Sequence, residues 1–147
     1  MPSLLDTLWL LQQQPDSDPA PLFEHAQPSA DEGQALQFAL LDRWLNEGEE
    51  LGGWKIGMTS GESRDALGIG VRPSGFVLKS RIFASGAQLP RSLLFKGGVE
   101  NELCFTVGQT LGDGATPQSA KRAMAGLAAG FEINQKRLPP GSAAGLR

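Results

Sequence analysis

The run Gly97-Gly98-Val99-Glu100-Asn101-Glu102-Leu103-Cys104-Phe105-Thr106-Val107 alternates two kinds of side chain, and that period of two restricts what it can become. Successive side chains of a strand point to opposite faces, so Val99, Asn101, Leu103, Phe105 and Val107 share one face and Glu100, Glu102, Cys104 and Thr106 the other. Two carboxylates therefore stand on one side. Alternate Cα atoms in a strand are roughly 6.5 to 7 Å apart, close enough for two flexible glutamates to converge on one cation. Without a cation they are solvated on an exposed face and repel each other. The run alone leaves both readings open.

A third carboxylate follows. Phe131-Glu132-Ile133 has strand character, with Glu132 pointing away from its two apolar neighbours. Between the two runs, Gly112 to Gly114 makes a turn, Thr116 caps a helix and Pro117 takes its first position. Ala120, Ala123, Met124, Leu127 and Ala128 form the expected buried face, and Gly130 is the expected end. A strand, a crossover helix and a returning strand need about this much chain, so Glu132 is expected alongside Glu100 and Glu102. Three convergent carboxylates are a hard, all-oxygen donor set, suited to Mg²⁺ or Mn²⁺ rather than Zn²⁺ or copper.

The N-terminal part reads as helical. Ser3 precedes Leu4, Leu5, Leu8 and Trp9 at helical spacing, and Pro15 stops that helix. Pro15 to Pro28 reads as an irregular connection holding the only histidine, His25, taken as a surface residue because no carboxylate or nucleophile pattern accompanies it. Ser29 with Glu32 opens a second helix whose stripe is Leu36, Phe38, Ala39, Leu41, Trp44 and Leu45. Leu51 to Gly57 reads as a strand with Trp54 and Ile56 on one side and Lys55 on the other. Lys55 is either a surface lysine or an amine drawn toward an anionic pocket. Thr59 and Glu62 suggest a capping box for a brief helix ended by Gly68, and Thr59 and Ser60 can equally bind a substrate carboxylate. Val77-Leu78, Ile82-Phe83 and Leu93-Leu94-Phe95 suggest short strands, and Ser142 to Arg147 a loose tail.

With 147 residues a single folding unit is expected. The 13 basic residues are scattered among 16 acidic ones, a net charge of −3, which disfavours a nucleic-acid partner. The one cysteine, Cys104, is read as a packing residue, and the absence of Cys/His clusters suits a reducing cytoplasm. Met1 to Gln14 lacks a basic lead-in and a small-residue cleavage site, and no run suggests a membrane partner.

Four ordered segments resemble the 2-keto-4-pentenoate hydratase family, which includes 4-oxalocrotonate decarboxylase, within the fumarylacetoacetate hydrolase superfamily. They are Trp54-Lys55-Ile56-Gly57-Met58-Thr59-Ser60, then Leu67-Gly68-Ile69 with Pro73 to Leu78, then Val99 to Phe105, and Phe131-Glu132-Ile133. The resemblance implies an α+β fold with N-terminal helices (residues 1–50) packed on a mixed, curved β-sheet (residues 51–147), incomplete at the C-terminal side. It assigns Glu100, Glu102 and Glu132 to Mg²⁺ or Mn²⁺, places Lys55 in the same pocket and implies a 2-hydroxydienoate or 2-keto acid substrate. The acid would chelate the metal through its carboxylate and C2 oxygen, and the cation would stabilise a developing enolate. Lys55 would bind the carboxylate or move a proton. Ser74 follows Pro73 where the family commonly has an acidic residue, Met58 replaces a frequent leucine, and Gln135 stands where an aspartate is common, while Arg137 matches. The expected activity is a hydratase or decarboxylase of aromatic catabolism. Alternatives are a non-catalytic truncated homologue or binding subunit, and an acylpyruvate-type hydrolase. Exposed strand edges imply a homo-oligomer or association with a related chain.

Overall fold

The computed structural model describes residues 3–14, 28–91 and 97–135. Its first helix, α1 (Leu4–Gln13), starts where Ser3 and Asp6 satisfy each other's backbone amides. Asp6 N–H donates to Ser3 Oγ at 3.1 Å and Ser3 N–H to Asp6 Oδ2 at 3.3 Å. The same reciprocal cap, from Ser29 and Glu32, opens α2 (Ala30–Asn46).

The two helices meet through their aromatic residues. The rings of Trp9 and Trp44 lie 4.6 Å apart, and the Arg43 guanidinium stands 4.6 Å above Trp9. Arg43 Nη1 also donates to Asp6 Oδ1 at 2.9 Å, so one carboxylate both caps α1 and ties it to α2. The other contacts of α2 reach a hairpin made of β1 (Leu51–Ile56) and β2 (Ser74–Leu78), antiparallel with Trp54 opposite Phe76 and Lys55 opposite Gly75. Phe38 meets Trp54 edge-on at 5.9 Å, and Gln37 Nε2 donates to the Ser74 carbonyl at 2.9 Å. Among the described residues of this part, Leu40 and Leu41 of α2 and Leu78 of β2 are the buried apolar ones.

Two local expectations are corrected here. Thr59 and Glu62 do not form a capping box: the short 3₁₀ turn Glu62–Asp65 starts after Gly61, whose φ of +71° turns the chain away from Thr59. Ile82-Phe83 is not a strand, because Lys79–Arg81 coils into a 3₁₀ turn closed by Ile82 N–H on the Lys79 carbonyl.

The second part consists of β3 (Gly97–Val107), α3 (Pro117–Ala123) and β4 (Met124–Gln135). The expected strand over 97–107 is present, as are the Thr116 cap and Pro117 at the helix start. The helix stops at Ala123, earlier than its Ala-rich pattern suggests, and Met124, Leu127 and Ala128 lie in a strand. Gly126 and Gly130 are poor helix residues, and Gly126, Ala128, Ala129 and Gly130 pair along the ladder instead, with Ala129 opposite Leu103 and Ala128 opposite Cys104. The expected crossover is therefore replaced by an antiparallel return. The described residues form an α+β structure of three helices and two separate two-stranded antiparallel sheets, where a single mixed sheet was expected.

These elements fall into two compact units, one within Met1–Leu93 and the other within Leu94–Lys136. The readings of His25 in its proline-rich connection, of Leu93-Leu94-Phe95, and of Arg137 and the tail lie outside the described residues. Among those residues no helix is long and apolar enough to cross a membrane.

Two stability measurements follow from the first unit. Leu41→Ala should lower the unfolding free energy by about 2–4 kcal/mol in denaturant titration, the usual effect of a cavity at a buried leucine. Hydrogen bonds from Ser3, then from Arg43, hold the Asp6 carboxyl below the usual aspartate range. A depressed folded pKa contributes stability above the unfolded value and loses it as pH falls through the folded one. Asp6→Asn should therefore melt below wild type at neutral pH, with the gap closing as pH drops below about 4.

Candidate metal centre

The antiparallel register of β3 and β4 builds the site. Residues opposite each other in such a pair share a face, and Glu100 stands directly opposite Glu132. Glu102, two residues along β3, is on that face too and opposes Gly130. One carboxylate oxygen from each of Glu100, Glu102 and Glu132 lies within 4.8 Å of the others. The two strands thus bring together the three carboxylates singled out in the sequence, by a hairpin-like return instead of a crossover. Glu100 is exposed, whereas Glu102 and Glu132 are half-buried.

Like charges at this spacing repel by about 1 kcal/mol per pair even in water. A divalent cation removes that repulsion. Oxygens around Mg²⁺ at 2.0–2.1 Å or around Ca²⁺ at 2.3–2.6 Å stand roughly 3 to 5 Å from one another, so the donor set fits a hard cation after small side-chain adjustments.

Asn134 also joins this cluster, a contact that sequence reasoning missed. Its Nδ2 donates to Glu100 Oε1 at 2.5 Å, and its Oδ1 accepts from Gly98 N–H at 3.2 Å. The backbone bond orients the amide so that its NH₂ group faces the carboxylate, the kind of outer contact that orients a metal ligand. The period-two pattern that placed Glu132 on this face also places Asn134 there, which was the available signal.

Small residues line the rest of the face. Gly130, Ala128 and Gly126 oppose Glu102, Cys104 and Thr106. A Cβ at position 130 would stand 2.8 Å from Cys104 Sγ, so only glycine fits there without a shift. Cys104 was expected to be a packing residue, but it is exposed, since neighbours this small cannot bury it.

Lys55, Thr59 and Ser60 belong to the first unit and the three glutamates to the second. Lys55 is half-buried on β1, with its stem against Gly75: a Cβ there would be 3.4 Å from Lys55 Cγ. Thr59 and Ser60 are exposed beyond the end of β1, just after Met58, whose φ of +55° is in the left-handed region uncommon for a residue with a side chain. An open cleft of about 310 Å³ runs along the loop 109–115 with Ser119, Arg122 and Ala123, and includes none of the candidate residues. Comparison with protein-family models finds no match, and comparison with curated protein sequences finds none either.

The Asn134 contact is directly testable. Asn134→Ala should weaken Mn²⁺ binding, followed by electron paramagnetic resonance, by about 10- to 100-fold while leaving the far-ultraviolet circular dichroism unchanged.

Proposed function

We propose that Glu100, Glu102 and Glu132 hold Mg²⁺ or Mn²⁺ and that the protein is a metal-dependent lyase, a hydratase or decarboxylase, acting on a 2-hydroxydienoate or 2-keto acid. The observation that carries the reading is the convergence of three carboxylates, from two strands, within 4.8 Å. The resemblance to the 2-keto-4-pentenoate hydratase family supplies the substrate class, the fumarylacetoacetate hydrolase-type sheet and the setting in cytoplasmic aromatic catabolism.

A bound cation would supply Lewis acidity toward the C2 oxygen of such an acid, lowering the cost of an enolate. The protein's own contribution is the geometry of its donors. Asn134 holds Glu100 in place, and Gly126, Ala128 and Gly130 leave room above the strands for a planar acid. Lys55 is the amine proposed to bind the substrate carboxylate or move a proton, with Thr59 and Ser60 as further carboxylate donors.

A second reading has its own support. Glu100 is exposed, and Cys104 and Thr106 farther along the same face are open to solvent, and a site this wet suits cation binding better than enolate chemistry, which gains from exclusion of water. On that reading the chain is a binding subunit or non-catalytic homologue.

One experiment separates them. Purified protein is titrated with Mn²⁺, and loss of dienol absorbance is followed with and without metal. The lyase reading expects metal-dependent turnover that falls by roughly 100-fold or more in Glu102→Gln. Metal binding without turnover would favour the binding subunit, cleavage of an acylpyruvate in the same assay would favour a hydrolase, and absence of Mn²⁺ binding would remove the site assignment altogether. Lys55→Met should lower turnover while leaving Mn²⁺ affinity within about twofold.

A further inference from the structure

The face of β3 and β4 that looks away from the glutamates is mostly apolar from Val99 to Val107. Val99 opposes Ile133, Phe105 opposes Leu127, Val107 opposes Met124, and Leu103 and Phe131 stand between them. These eight side chains are between 41% and 73% exposed. At such exposures each offers roughly 100 Å² of apolar surface, so together they present on the order of 800 Å². That exceeds the roughly 300–600 Å² of the largest patch on an ordinary monomer and equals one partner's share of a standard protein interface, about 800 Å². A two-stranded ribbon is also marginal on its own and needs a second layer over its apolar face.

We propose that this face packs against the same face of a second copy, giving a two-layer, four-stranded sandwich around a two-fold axis. An isologous contact requires a surface that tolerates meeting itself. Between Val99 and Val107 it carries no charge, and Asn101, opposite Phe131, is the large polar side chain of that stretch. The charged residues of the two strands are Glu100, Glu102 and Glu132, all on the other face, where pairing of the apolar faces directs them outward on both sides of the sandwich. Three carboxylates and no basic residue on the ribbon also disfavour an anionic lipid surface as the occupant. The pairing does not depend on the metal reading.

Sedimentation velocity of the full chain should give a species of twice the 15.6 kDa chain mass that dissociates on dilution. Phe131→Lys should weaken the association at least about tenfold, as expected for a charge placed at the centre of an interface. Ile69→Lys, at a 95% exposed apolar position outside the ribbon, should leave it unchanged. Benzoylphenylalanine in place of Phe131 keeps the apolar bulk should the lysine variant fail to fold, and irradiation should link residues 99–133 of two copies. A monomer at the highest soluble concentration, undiminished association in folded Phe131→Lys, or crosslinks confined to one chain would overturn the proposal.

Discussion

Everything distinctive in the second unit depends on the register between β3 and β4. Glu100 opposite Glu132 brings the carboxylates together, and the same ladder lines Val99, Leu103 and Phe105 up with Ile133, Ala129 and Leu127 on the reverse side. A slip of one residue would send Glu132 among the apolar residues and Phe131 toward the glutamates, because side chains alternate strictly across a strand. Several contacts oppose that slip. Gly98 N–H and Glu100 both bond to Asn134, Cys104 Sγ sits where only a glycine at position 130 leaves space, and Gly108 N–H donates to the Ala123 carbonyl at 2.8 Å beside the irregularity that ends the ladder. The carboxylate cluster and the apolar face are thus two consequences of one alignment.

The first unit is organised by α2. Its Gln37 and Phe38 address the hairpin, its Arg43 and Trp44 address α1, and its Leu40 and Leu41 are buried. The polar contacts supply direction and the leucines most of the free energy, since a part-exposed ion pair such as Arg43 with Asp6 contributes little by itself. Its value lies in coupling: Asp6 cannot leave Arg43 without also loosening the N-terminus of α1.

Features encoded within a few residues were legible in the sequence. The helix start at Ser3, the Ser29/Glu32 cap, Thr116-Pro117, the period-two run over 97–107 and the strand carrying Lys55 are all local signals and all are present. What escaped was decided by partners distant in sequence. Residues 124–130 place Met124, Leu127 and Ala128 at helical spacing, yet alanine and glycine fit equally well opposite Cys104 and Thr106, and pairing with β3 decides for the strand. The convergence of Glu132 with Glu100 and Glu102 was expected, but through a parallel crossover, because chain length alone does not distinguish a crossover from an antiparallel return. Asn134 differs: the period-two pattern puts it on the carboxylate face, but its bonds to Gly98 and Glu100 are what show its contact with the cluster.

The two faces of the ribbon pose opposite physical problems that reinforce each other. One concentrates negative charge, which favours separation of the strands, and the other exposes apolar surface, which favours any arrangement that hides it. A cation on the first face and a second copy on the second would each stabilise the same register, since each requires Glu100 opposite Glu132 and Phe105 opposite Leu127. Two ligands that favour one conformation over its alternatives are thermodynamically coupled, and the coupling is reciprocal. Occupation of the carboxylates should therefore tighten association of the apolar faces by the same factor by which association raises cation affinity, with no contact between the two sites beyond the strands they share.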